Sequence, residues 1–276
     1  MTPMPAPEIA SPSNPRIKAA ARLRDRRRRD ETGLTLVDGA RELRRALDAG
    51  ADVVEAFVCE PRLAGEDARA VLDALAAHAI QTTSATEAAF GKIAFGDRAD
   101  GLVGVVRVPP MRLDDLSVPE EPLIVVVEAV EKPGNLGAVL RSADGAGVGA
   151  LIAASPKTDL MNPNAIRASA GTIFSVPLAS APTEEVLDWL RRRSIRIVAA
   201  LVDAEPLYTD ADLTGPLAIA FGSEAAGLTD AWRTPGIGGL RLPMLGIADS
   251  LNVSVSAAVV LYEARRQRDR QLRTAD

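Results

Sequence analysis

One cysteine, one histidine and 3% aromatic residues in a chain of 276 leave few of the usual reactive side chains. Cys59 alone excludes an internal disulfide, and with only His78 to join it there is no Cys/His set for a zinc site, so no metal is expected. Cys59 lies in the strand-like run AFVCE and reads as core filler; His78 closes an Ala-rich helical stretch and reads as a surface or capping residue. Histidine is therefore not the expected base of any chemistry here. There is no run of about 18 uninterrupted apolar residues, and Met1 to Pro15 lacks a charged start followed by an apolar stretch, so the expectation is a soluble, cytoplasmic chain with no membrane partner. A GxxxxGK[ST] phosphate loop is also missing. The glycines of GAGVGA, residues 145–150, imitate a dinucleotide fingerprint, but that motif must follow a strand and open a helix. Here the segment closes a helix and precedes a strand, which suits a helix end and a tight turn. Nucleotide-dependent hydride transfer loses its support accordingly.

What is present, 47% hydrophobic and 25% charged residues, is a globular composition long enough for two domains. A linker is expected at 108–122, VPPMRLDDLSVPEEP, where four prolines and acidic residues replace apolar periodicity. It divides two α/β patterns, 1–107 and 123–276. The first holds strands at Leu34 to Val37, Val53 to Val58 and Leu102 to Val108, with helices at Arg41 to Ala49 and Asp67 to Ala79. The second holds uninterrupted apolar strands at Leu123 to Val127, Leu151 to Ala154, Ile197 to Leu201 and Leu217 to Phe221, a pattern suited to a parallel sheet covered on both faces. A last helix is expected from near Asn252 to about Arg270, apolar nearly all round in its first turns and so buried, partly against a second subunit.

The net charge of −5 argues against a nucleic-acid partner, but its distribution does not. Residues 16–29, RIKAAARLRDRRRR, contain one acid, Asp25, and a second basic stretch, ARRQRDRQLR, occupies 264–273. A solvated helix explains the Arg run equally well. If the run binds RNA, the lack of nearby aromatics points to phosphate contacts rather than base stacking.

Three segments carry the chemistry. In EKPGNLGAVLRSADGAG, 131–147, Leu136, Val139, Leu140 and Ala143 form an apolar helical stripe, while Gly134, Gly137, Arg141 and Asp144 fall on another. A lone cation in a clearing of small residues is more than helix packing on a sheet requires. In parallel sheets ligands gather beyond the carboxyl ends of strands, where GSEAAGL, 222–228, and LPMLGIADSLNVS, 242–254, would fall. Gly222 would let the backbone approach a ligand, and Glu224 sets a carboxylate just past a strand end. Ser250 or Asn252 would cap the last helix, which is a structural role for one of them.

Together, NLGAVLRSADGAG at 135–147, GSEAAGL at 222–228 and LPMLGIADSLNVSVSAA at 242–258 resemble motifs one to three of the SpoU/TrmH class of the SPOUT RNA methyltransferases. NPRIKAAARLRDRRRRD leading into LVDGARELRRAL is similar to that family's L30e-like RNA-binding domain. The resemblance implies an α/β chain with a trefoil-knotted SPOUT domain behind a smaller L30e-like domain. It implies a homodimer that transfers a methyl group from S-adenosylmethionine to a ribose 2′-hydroxyl of structured RNA, ribosomal RNA by preference. The carried-over cofactor pocket comprises Leu201, Val202, Gly222, Ser223, Glu224, Leu242, Pro243, Met244, Ser250 and Leu251, and the catalytic set Asn135, Arg141, Glu224, Ser250 and Asn252. RNA contacts would come from Arg16, Lys18, Arg26, Arg27, Arg28, Arg141 and Arg167.

An arginine keeps its proton to a pKa above about 12, so Arg141 is expected to hold a phosphate or the developing alkoxide rather than act as base, with Asn135 and Glu224 fixing its guanidinium. A catalytically silent assembly factor and a tRNA methyltransferase are the alternative readings.

Overall fold

A computed structural model of the chain describes residues 8–95 and 100–275. Contacts divide it into two compact units, one made of Met1–Pro109 with Met161–Ser175, the other of Pro110–Leu160 with Val176–Asp276.

The first unit contains α1 (Pro15–Arg22), α2 (Arg26–Thr32), β1 (Leu34–Asp38), α3 (Ala40–Asp48), β2 (Val53–Val58), α4 (Gly65–Ala77), β3 (Gln81–Ser84), α5 (Glu87–Phe90) and β4 (Leu102–Arg107). Its sheet runs β1-β4-β2-β3, with β4 antiparallel to both neighbours and β2 parallel to β3. The Arg run forms two short helices rather than one. Asn14 caps the first, with Pro15 in its first turn; Asp25 caps the second, which stops at Gly33 in the left-handed region, φ +65°.

The second half adds β5 (Leu123–Glu128), α6 (Pro133–Gly145), β6 (Ala150–Ala154), α7 (Pro163–Ala168), β7 (Leu178–Ala181), α8 (Thr183–Arg192), β8 (Arg196–Ala200), β9 (Leu217–Phe221), β10 (Ile237–Leu240) and α9 (Val253–Ala275). Its sheet is parallel throughout, in the order β10-β8-β9-β5-β6-β7. Every residue of β5, β6 and β9 is buried, as continuous apolar strands covered on both faces must be. α8 carries Glu184 and Glu185 in its first turn and Arg191 and Arg192 in its last, matching the helix dipole. No helix among the described residues is long and apolar enough to cross a membrane.

Several expectations are modified. The stretch expected as a linker departs from a free tether, because residues 110–122 are packed on the second unit. Leu113 and Leu116 are buried in its core, Trp189 Nε1 donates to the Leu113 carbonyl at 3.0 Å, and Ser180 N–H donates to that of Met111 at 2.8 Å. α7 groups with the first unit although it falls between β6 and β7. α9 is buried on one face only: Val260, Leu261 and Ala264 are fully covered while Val255 and Tyr262 are about half exposed.

Candidate active site

Asn135 sits in the first turn of α6, and its Nδ2 donates to Glu224 Oε1. Asn252 Nδ2 donates to Asn135 Oδ1 at 3.2 Å. Asn252 also caps α9, its Oδ1 accepting from Ser254 N–H at 2.9 Å and from Ser254 Oγ at 2.7 Å. Its structural and site roles are therefore held by opposite ends of one amide. Three segments spread over 117 residues meet in this chain of two contacts.

Arg141 is exposed and, among the described residues, takes no hydrogen bond or ion pair. The expectation that Asn135 and Glu224 hold its guanidinium is not met. Six helical residues separate it from Asn135, which places it about 9 Å along α6 and roughly 120° around it. Gly137 is corrected too: it is buried with Leu136, Val139 and Leu140, so the open ground near Arg141 owes nothing to it.

Gly222 is required by the chain itself. A Cβ there would lie 2.0 Å from the Gly227 carbonyl carbon and 2.2 Å from Leu228 N, so the space expected for a ligand is filled by the segment's own return. Ser223 and Gly227 exchange both backbone hydrogen bonds, at 3.1 and 3.0 Å, and Ala226 N–H donates to Ser223 Oγ at 3.2 Å. Glu224 thus rides on a closed loop at the end of β9.

Beside it, a cleft at the carboxyl ends of β8 and β10 is lined by Leu201, Val202, Leu242, Met244, Ser250 and Leu251, all expected there. Gly222, Ser223, Glu224 and Pro243 do not line it, whereas Ala200, Leu240, Asp249 and Ser256 do. Apolar walls with a few hydroxyls and one carboxylate suit an adenosyl group bearing a sulfonium.

One buried carboxylate joined to these segments was not anticipated. Glu128, the last residue of β5, is 1% exposed and accepts from Thr229 N–H at 2.8 Å, Thr229 Oγ1 at 2.9 Å and Thr183 Oγ1 at 2.8 Å. Thr183 N–H donates to Ser155 Oγ at 3.0 Å, and the two hydroxyls are 3.0 Å apart. An acid closing an apolar strand was the only sequence signal.

In the first unit the basic run is partly spent on the fold. Arg16 donates to Glu55 and, at 2.6 Å, to Thr83 Oγ1, and lies over Phe57. Arg24 donates to the Ile93 and Ala94 carbonyls, and the buried Arg29 donates to those of Leu23 and Arg24. Arg26 pairs with Asp30 at 3.7 Å, and Arg27 and Arg28 with Glu31 at 2.9 and 2.5 Å; these pairs are exposed. Such contacts are weak and open to exchange with phosphate. Lys18 is exposed.

Arg167, expected on RNA, donates to the Phe95 carbonyl and stands 3.6 Å from Asp38 Oδ2. The cavity it lines holds four carboxylates, of Asp38, Glu42, Asp67 and Asp100, against two guanidiniums, a poor seat for phosphate. Burial pushes Asp38 up to about 6, against the opposing effects of the Phe95 N–H and Arg167. Among the described residues no group of three or more His, Cys, Asp or Glu is placed to hold a metal ion.

The fold, with its six-stranded parallel sheet, is shared with solved methyltransferase structures. One is an RNA 2′-O ribose methyltransferase, 44% identical, covering 95% of this chain and 99% of its own at a TM-score of 0.84. Another is the SpoU methyltransferase AviRb from Streptomyces viridochromogenes in complex with AdoMet, 32% identical over 92% of this chain and 98% of its own, TM-score 0.81. The 23S rRNA (uridine(2479)-2′-O)-methyltransferase of Streptomyces viridochromogenes is 34% identical over 90% of this chain and 88% of its length. Residues 122–262 match the SpoU rRNA Methylase family and residues 14–104 the MRM3-like substrate binding domain. The chain belongs to the SpoU rRNA methylase family.

Proposed function

We propose that this chain transfers the methyl group of S-adenosylmethionine to a ribose 2′-hydroxyl of RNA, with 23S ribosomal RNA as the substrate. The convergence of Asn135, Glu224 and Asn252 beside the apolar cleft carries the reading, since three distant segments supply one cluster. Leu201, Leu242, Met244 and Leu251 would hold the cofactor, with Ser250 and Asp249 as polar contacts. When bound, it supplies an electrophilic methyl on a positively charged sulfur.

Transfer would exchange the donor's carbon–sulfur bond for a bond from the ribose oxygen to the methyl carbon, with the electron pair left on sulfur and the hydroxyl proton given to solvent or a base. Apolar walls do not over-stabilise the charged ground state. Arg141, unpaired among the described residues, is the group that holds a target phosphate or the developing alkoxide by charge-assisted bonds. The Asn135–Glu224–Asn252 chain would tie the three segments together.

The working unit is a homodimer in the cytoplasm. Support for a second copy comes from α9 and the segment before it, which expose Leu245 (99%), Ile247 (105%), Val255 and Tyr262. The exposed Arg26–Arg28 cluster and Lys18 fit phosphate contacts. The resemblance also carries the threaded, knotted course of the C-terminal segment.

The experiment is tritiated-methyl transfer to total RNA lacking the modification, then mapping of the product. Label at one 2′-oxygen of 23S RNA is expected. Label in the tRNA fraction would replace the substrate, and no binding of S-adenosylmethionine at millimolar concentration by calorimetry would leave an assembly factor.

A further inference from the structure

We infer that Glu128 is a positioning residue for the proposed reaction: its buried carboxylate anchors the far end of the Glu224 loop and so sets the Glu224 carboxylate on Asn135. This rests on the methyl-transfer reading above. Among the described residues Glu128 pairs with no arginine or lysine; two hydroxyls and one backbone N–H satisfy it. Burying a carboxylate among donors of this kind is costly, and an apolar residue would finish β5 with less penalty, so packing alone does not account for it.

What the carboxylate does is join strand ends. β5 lies between β9 and β6 in the sheet. Through Thr229 Glu128 grips the chain just beyond the loop that leaves β9, and through Thr183 and Ser155 it reaches the end of β6. The loop itself has little slack. Gly222 is pressed on the Gly227 and Leu228 backbone, and Ser223 and Gly227 are doubly bonded. Held at Phe221 by the sheet and at Thr229 by Glu128, the loop carries Glu224 to Asn135 Nδ2. A loose anchor would be transmitted rather than absorbed.

The test is a double-mutant cycle between Glu128→Gln and Glu224→Gln, with kcat read at saturating cofactor and RNA. Glu128→Gln is expected to lower kcat about ten- to a hundredfold, the range for small misplacements of reacting groups. Cofactor affinity should stay unchanged, and there should be little further loss on the Glu224→Gln background. Losses that simply multiply would overturn the inference, as would an unchanged kcat. A readout free of catalysis is the Asn135 side-chain amide in a 1H–15N spectrum. Its resonances should move in Glu128→Gln toward their positions in Glu224→Gln; an unmoved pair would count against the anchor. If the wild-type chain transfers no methyl group, the functional reading fails while the amide still reports on the anchor. Should Glu128→Gln not fold, Thr229→Val, at an exposed residue, removes one of the same bonds and is judged by the same outcomes.

Discussion

Arg141 shows how far a single residue can be read. Its isolation on a small-residue helix was legible from spacing, but its expected partners were not its partners, because six residues along an α-helix carry a side chain out of reach. A guanidinium with no partner among the described residues is available to substrate. Arg141→Lys keeps the charge and loses the planar fork. We expect kcat to fall by about a hundredfold or more, as on loss of a transition-state donor, with an unchanged denaturation midpoint. Retention of most activity at saturating cofactor would remove the role. Glu128 illustrates the opposite case: its partners lie 55 and 101 residues away, and the one local mark in LIVVVEAV is an acid closing an apolar strand.

At the scale of elements, the strands missed from sequence share one property. β3 closes one sheet, and β7 and β10 close the two sides of the other. Edge strands are covered less and are short, and QTTS, LASA and IGGL carry polar or glycine residues where central strands carry valine and isoleucine. Helix ends were more legible, since Asn252 was one of two expected caps. Asn252→Asp should keep the cap and delete the donor to Asn135, setting a second carboxylate near Glu224. Activity should drop at least about tenfold while thermal stability holds; equal losses of both would assign Asn252 to the cap alone.

The end of β1 makes a pH prediction. Free aspartate titrates near 3.8 and Asp38 near 6, so between those values the unfolded chain has released a proton that the folded chain keeps. Stability from this group is full below about 4 and falls as pH rises through 6, by up to about 3 kcal/mol. Asp38→Asn cannot ionise, so its stability relative to wild type should improve by up to that amount between pH 4 and pH 7.5 in urea titrations. A difference flat with pH would contradict the assignment.

For the whole molecule, net charge was a poor guide and distribution a partial one. Asp30 and Glu31 follow the Arg run at helical spacing and neutralise its outer face, while Arg16, Arg24 and Arg29 turn inward to build the unit. RNA affinity should therefore depend on only a few of these cations. Replacing Arg26, Arg27 and Arg28 with alanine should shallow the slope of log affinity against log salt by about two to three, without changing which nucleotide is methylated. An unaltered slope would move the phosphate contacts elsewhere.

Residues 161–175 give the molecule a mixed inheritance. Encoded in the second half, they belong physically to the first: Thr35 Oγ1 donates to the Met161 carbonyl at 2.7 Å, Arg45 to that of Ala170 at 2.7 Å, and Arg167 stands 3.6 Å from Asp38 Oδ2. A chimera spliced at Pro109 from two relatives would hand one parent's first unit a foreign patch. Such hybrids are expected to melt early and to recover when 161–175 travels with the first parent, so that exchange of halves between family members must move two pieces of gene rather than one.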